Sequence, residues 1–363
     1  MRKTILLLIL SASTLSFTIN SKTSRIKSSH SSSLFAIGGL AKMAKEREIT
    51  LYKESCSDQS ILNILNTDSQ SQPTKTKSTI LRDALTKRKG TLSVLVEYKR
   101  NLSFQKKLEK GYVQEIFPPA IMSPVFRDFG ATAVSVLADQ NLGGCDYEDI
   151  VEFATEQKLA QGNVPGPLPI VSSDLIVDEI QVARAWVSGA SGVCIDFDVL
   201  SVERGVELVK FATATGGEAI ATASAGLLSG GLSGGLSDGS EAFVETVVAA
   251  GATLILARVN MEDEEECARI RENVPEDVCL LAYIKAYDDK DLKEVQDSWK
   301  LRDMGYKAVW VSDCLFKGGA DMTEHCGAII KSMSAKTSLK FGSVGAKSGR
   351  GEGSREYLGD IMM

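Results

Sequence analysis

Within residues 92–100, LSVLVEYKR, a carboxylate and an ammonium stand two positions apart, Glu97 and Lys99. In an extended strand, side chains two apart share a face, so Leu95, Glu97 and Lys99 lie on one side and Val94, Val96 and Tyr98 on the other. Such a pair can act as general base and proton donor, or can hold an anion. Two charges on an interior face are costly unless they are paired or used, so these residues leave two readings open: a ligand site and a plain salt bridge. Histidine chemistry has almost no material, because His30 and His325 are the only histidines. The seven cysteines, Cys56, Cys145, Cys194, Cys267, Cys279, Cys314 and Cys326, are odd in number, scattered and without a CxxC pair. That pattern favours reduced thiols over a disulfide framework or a zinc site. No metal and no cofactor are expected.

The elements that must position these residues follow from periodicity. Apolar, β-rich runs at 92–98, 133–137, 168–171, 192–196, 219–223, 253–257, 278–283 and 308–311 alternate with helical patterns at 118–129, 147–158, 178–188, 202–214, 240–250, 263–272, 288–304 and 321–332. Alternation of this kind signals parallel βα units. Eight of them predict an α/β fold, a (β/α)8 TIM barrel. Asp or Ser precedes several of the helices, and Gly130, Gly189, Gly251 and Gly305 sit where helices end. The expected organisation is a leader over 1–45, an N-terminal helical extension and linker over 46–90, the barrel over 91–334 and a C-terminal tail over 335–363. The stretch 226–239, with its SGGLSGGLSDG near-repeat, is far longer than an ordinary βα loop. It reads either as a lid or as an unstructured insertion. The tail, with Arg350, Arg355, Glu356, Tyr357, Leu358, Ile361 and Met362, reads either as a docking segment for a protein partner or as an unstructured extension.

In such a barrel the C-terminal strand ends share one rim, where ligands bind. Asp196 and Asp198 follow the fourth strand, Arg258 the sixth, Lys285 the seventh, and Ser312, Asp313 and Lys317 the eighth. This makes a mouth of mixed sign. Lys99, Arg258 and Lys285 could build a small-anion site, or the charges could be cross-strand ion pairs that neutralise one another. Gly318 and Gly319 could form a phosphate nest or a plain turn.

The runs 92–100, 131–140 (ATAVSVLADQ) and 168–193 (LPIVSSDLIVDEIQVARAWVSGASGV), in this order and at this spacing, resemble the indole-3-glycerol phosphate synthase family, lyases that close and decarboxylate the indole ring in tryptophan biosynthesis. The resemblance extends over about residues 80–334. It implies that Glu97 is a catalytic glutamate and Lys99 a catalytic, substrate-contacting lysine. Elsewhere the chain departs from the family's pattern. The proton-delivering lysine that precedes Asp174 in the third-strand motif is Ser173 here, and a serine hydroxyl is no comparable acid near neutral pH. The Ser-Pro-Ser segment after the first strand falls at Asn101, Leu102, Ser103 and Phe104, and the fifth-strand glutamate at Thr222. The sixth-strand asparagine falls at Arg258, the Glu-Ser-Gly run at Tyr283, Ile284 and Lys285, and the eighth-strand glycine at Ser312. The resemblance therefore implies a divergent homologue whose lyase activity is lost or altered and which acts as a binding or assembly protein. Arg258, Lys285, Ser312 and Asp313 are its candidate residues for binding a phosphorylated small molecule. The alternatives are an active lyase and a different enzyme acting on a phosphorylated small molecule.

The chain has 363 residues, 44% of them hydrophobic, enough for one large core. A net charge of −6 and the absence of a long basic run argue against nucleic acid as a partner. Residues 1–45 contain no Asp or Glu. They open with Arg2 and Lys3, an apolar run at 5–10, small residues at 11–16 and then a Ser/Lys/Arg-rich stretch beginning at Phe17. This resembles the bipartite leader that directs proteins to the plastid of algae with secondary plastids, with secretion as the alternative. The apolar run is far shorter than the ~20 residues of a membrane span, so no membrane association is expected of the mature form.

Overall fold

Eight parallel strands close on themselves in the order β1 to β8 in a computed structural model of the chain, which describes residues 29–66, 78–87, 90–102, 116–229, 239–287, 292–317 and 321–335. The strands are β1 Ser93–Tyr98, β2 Ala133–Val136, β3 Ile170–Ser172, β4 Gly192–Asp196, β5 Glu218–Ser224, β6 Leu254–Arg258, β7 Cys279–Ile284 and β8 Ala308–Val311. Each falls within two residues of its expected place, because strands buried on both faces must be nearly continuous apolar runs. All six residues of β1 are buried. Strand β3 is the shortest, and Pro169, which has no N–H to give to a ladder, directly precedes it.

Before the barrel come α1 Ser29–Ser55, α2 Gln59–Leu65 and α3 Ile80–Thr86; around it run α4 Pro119–Asp128, α5 Tyr147–Leu159, α6 Glu179–Val187 and α7 Val202–Ala214. Then follow α8 Ala225–Ser229, α9 Gly239–Ala249, α10 Glu264–Asn273, α11 Lys293–Asp303 and α12 Met322–Met333. The chain divides at Ser55 into one unit holding α1 and a second holding everything from Cys56 onward. Helix α1 starts inside the segment expected to be a leader. Helices α5 and α6 each begin with a capping box, from Asp146 with Asp149 and from Asp178 with Gln181. After α6, Gly189 takes φ 97°, and a Cβ there would stand 2.7 Å from the Cβ of Ala154, so only glycine fits.

Three local differences from the sequence expectation have physical causes. Residues 225–229, at the edge of the expected long loop, form the helix α8, while 230–238 lie outside the described residues. Helix α11 begins at Lys293 and not at 288, because Leu292 ahead of it holds a left-handed φ of 48°. A four-residue 3-10 helix, Asp313–Phe316, follows β8; at that length it leaves no periodicity to read. The tail from 336 onward lies outside the described residues, and so do Ser103, Phe104, Gly318 and Gly319.

Inside the barrel, Leu95, Ala133, Val171, Ile220, Leu281 and Trp310 belong to one buried cluster, and Leu81 and Leu85 of α3 enter it from the N-terminal face. Glu218 at the start of β5 accepts from the backbone N–H of Leu81 at 2.6 Å and of Arg82 at 3.0 Å. Ser93 donates to the carbonyl of Leu85 at 2.7 Å. The plug is thus both apolar and hydrogen-bonded, and each fully buried leucine contributes about 1.5–3 kcal/mol. No helix among the described residues is long and apolar enough to cross a membrane.

Candidate functional site

The alternation of β1 brings Leu95 into the core and, two and four residues on, sends Glu97 and Lys99 to the C-terminal mouth. Glu97 is 7% exposed. Ser312 donates to its Oε2 at 2.7 Å, and Ser173 donates to its Oε1 at 3.2 Å. Ser135, opposite Glu97 in the β1–β2 register, donates in turn to Ser173 Oγ at 2.8 Å. The Lys99 ammonium stands 3.9 Å from Glu97 Oε2 but only 2.7 Å from Asp313 Oδ1. The Lys99 and Asp313 side chains are 12% and 9% exposed. Tyr283 of β7 faces the same cluster. Burial, with the carboxylates of Glu97 and Asp313 adding to it, pushes its phenol far above the ordinary value, so it stands there as a neutral group.

A second ion-pair group occupies the rim between β4 and β6. Arg258 grips Asp196 with both terminal nitrogens, Nη1 to Oδ1 at 2.9 Å and Nη2 to Oδ2 at 2.6 Å, and reaches Asp198 Oδ2 through Nη1 at 2.6 Å. Asp198 also receives the N–H of Ser224 at 3.0 Å. Burial works against the guanidinium's charge, but the two aspartates outweigh it and hold the pKa above its ordinary value. The Arg258 side chain is nevertheless 42% exposed.

The sequence-predicted residues thus separate into groups. Glu97, Lys99, Ser312 and Asp313 come together across the β1–β8 seam, Arg258 is held by Asp196 and Asp198, and Lys285 is exposed one residue past β7. Lys317 is drawn away from the mouth by Glu294 at 2.7 Å and by the carbonyl of Tyr287. Thr222 sits buried on β5 in register with Asp196. Beyond β1, Arg100 and Asn101 tie the chain to the next βα loop, both donating backbone N–H groups to the carbonyl of Gly143 at 2.7 and 3.0 Å. The residue that sequence reasoning passed over is Ser135. Its signal was available, since the period of two along β2 turns it inward.

Among the described residues no group of three or more His, Cys, Asp or Glu is placed to hold a metal. All seven cysteines are free. Burial pushes Cys279 and Cys314 up to about 12, so neither presents a thiolate near neutral pH. Among the described residues the mouth offers a carboxylate solvated by hydroxyls, Lys99 and Arg258 each paired with aspartate, and the exposed Lys285.

The family model described as indole-3-glycerol phosphate synthase matches residues 40–221, half of the chain, from within α1 to β5 just before Thr222. An indole-3-glycerol phosphate synthase of Leptospira interrogans is 32% identical over 136 residues, 38% of this chain and 48% of that protein. One from Oceanobacillus iheyensis is 31% identical over 131 residues, 36% of this chain and 45% of that protein. One from Carboxydothermus hydrogenoformans is 25% identical over 246 residues, 65% and 80% of the two chains. The chain spans about half the length of the first two relatives. Half the chain answering to one family model, on a closed eight-stranded barrel with a glutamate and a lysine at the end of β1, places this protein in the indole-3-glycerol phosphate synthase family.

Proposed function

We propose that this family member has lost or altered the ring-closing and decarboxylating activity and acts as a binding or assembly protein in a plastid, to which residues 1–45 direct it. The observation that carries the loss of activity is Ser173. Where the family resemblance calls for a proton-delivering lysine, a hydroxyl donates a hydrogen bond to Glu97 and supplies no acidic proton near neutral pH. Thr222, Arg258 and Tyr283 replace further acids and polar groups of that constellation, and Arg258 is held by two aspartates. Losing a single general acid or base costs about 10²- to 10⁴-fold in rate, and several absent together leave little turnover. Binding then falls to the mouth, for a phosphorylated small molecule, or to residues 337–363, for a protein.

The test is an assay of the purified chain with carboxyphenylamino deoxyribulose phosphate, followed by indole fluorescence. No turnover is expected; a rate of about 1 s⁻¹ or faster, ordinary for enzymes, would overturn the proposal. One observation favours the active reading, in which Glu97 is the base and Lys99 the proton donor: their charged atoms lie 3.9 Å apart. Under that reading Lys99→Met abolishes turnover in the same assay, and retained turnover removes Lys99 from the chemistry.

A further inference from the structure

Two mainly apolar recesses open on the face of the barrel where its strands begin, the end away from the charged mouth. One, about 600 Å³, lies between Ile80 and Ala84 of α3 and Pro167. The other, about 220 Å³, shares Ile80, Pro167 and Pro169 with it and runs past Leu168 to Ala154 of α5. We infer that this groove is the docking site of residues 357–362 of the same chain, YLGDIM, which return to it from the C-terminal tail. The inference goes beyond the proposed binding role and concerns the opposite end of the barrel.

Among the described residues the groove stays open. Ile80 is 62% exposed at the start of α3, and Pro167 across from it is exposed as well. Adjacent apolar side chains left in water mark a surface that gains by being covered. Residues 67–77, which precede α3, read TDSQSQPTKTK and have only Pro73 to bury. Residues 357–362 instead hold Tyr357, Leu358, Ile361 and Met362. The acidic residues Glu356 and Asp360 beside and among them match Lys87 and Lys158, one exposed in each recess. Apolar burial then carries the affinity, and the charges set the direction in which the segment lies.

The tail also leaves the barrel on the right face. The end of α12 is fixed beside the end of α11, where Trp299 donates to the carbonyl of Ser332 and Arg302 to that of Ala335, both at 2.9 Å. Helix α12 packs on α4, where the Lys331 ammonium stands 4.6 Å from the centre of the Phe129 ring, and α4 packs on α5, where Arg127 pairs with Glu156 at 2.7 Å. Two helix spacings, about 20 Å together, therefore separate the end of α12 from the α5 side of the groove. Residues 336–357 span up to roughly 70 Å when extended, more than enough. A tether of this kind holds the segment at an effective concentration on the order of millimolar, so modest affinity suffices.

Tryptic cutting of the full chain at Arg350 and Arg355 tests the inference, with a synthetic peptide of residues 345–363 as the reference for each bond. Arg355 adjoins the docked segment, so the ratio of cutting at Arg355 to cutting at Arg350 should be about tenfold or more lower in the chain than in the peptide, a factor that burial of one leucine already supplies. Ile80→Asp in the groove and Leu358→Asp in the tail should each restore the ratio of the peptide. The first places an acid in the first turn of α3, where it suits the helix dipole. Should it nevertheless fail to fold, Leu358→Asp reads the same contact from the other side. The protection should persist over about a hundredfold dilution, as a contact within one chain does. The inference falls if the wild-type ratio equals that of the peptide or if a folded variant keeps the protection. It falls equally if dilution removes the protection, which would seat the tail on a second copy. The lyase assay reads the proposed function separately, so either idea can fail without the other.

Discussion

Ser173 takes a hydrogen bond from Ser135 and passes one to Glu97, and this relay of hydroxyls is what solvates the buried carboxylate. A carboxylate solvated by hydroxyls stays a good acceptor, but it has gained no proton to deliver. Lys99 and Arg258 differ in energetic weight. Breaking a buried pair such as Lys99–Asp313 leaves one uncompensated charge and costs about 3–5 kcal/mol, whereas Arg258, 42% exposed and held by two carboxylates, is partly screened by solvent and keeps one partner when the other is lost. His325 is a residue whose charge matters elsewhere in the barrel. Its Nε2 lies 3.0 Å from the carbonyl of Cys314, to which the neutral ring donates; burial, with a smaller push from the Lys317 ammonium, holds its pKa below the ordinary value against the opposing pulls of that hydrogen bond and, more weakly, of Glu294. A base with a depressed folded pKa contributes stability that is fully present above the unfolded value, about 6.5, and that is lost as pH falls toward the folded one. The urea stability of the wild type relative to His325→Gln is accordingly expected to shrink between pH 8 and pH 5. A difference that stays constant over that range would show that His325 does not titrate differently on folding.

At the scale of elements, α3 closes the N-terminal end of the barrel while the opposite end carries the charges. Leu81 and Leu85 are fully buried against the interior cluster, and Glu218 and Ser93 hold the helix by its backbone. Leu85→Ala is expected to cost about 2–5 kcal/mol, the transfer of a buried leucine plus the cavity it leaves, read from urea denaturation. A loss below about 1 kcal/mol would mean that the plug can be dispensed with. The eight strands were legible because buried parallel strands and amphipathic helices carry distinct periods. The late start of α11 and the 3-10 helix at Asp313–Phe316 were not, since a single left-handed residue and a four-residue turn are set by surrounding contacts and leave no repeat in the chain.

For the whole molecule, residues 1–45 carry the expectation of delivery to a plastid. Fusing them to a fluorescent protein in an alga with a secondary plastid should send the fluorescence to the plastid stroma, and accumulation in the medium would replace that reading with secretion. The remainder of the chain divides what could be read early from what could not. Period-two alternation was enough to put Glu97 and Lys99 on one inward face, and residue identity was enough to show that no lysine stands at 173, because both are properties of short stretches of chain. Neither could say which carboxylate Lys99 would meet. Asp196 ends a strand, Asp198 and Asp313 follow strands, and the choice among them was made by closure of the sheet, which sets β1 beside β8 and joins groups as far apart in sequence as Ser312 and Glu97, 215 residues. Pairing across that seam depends on the register of all eight strands together, a quantity that no local pattern of residues contains.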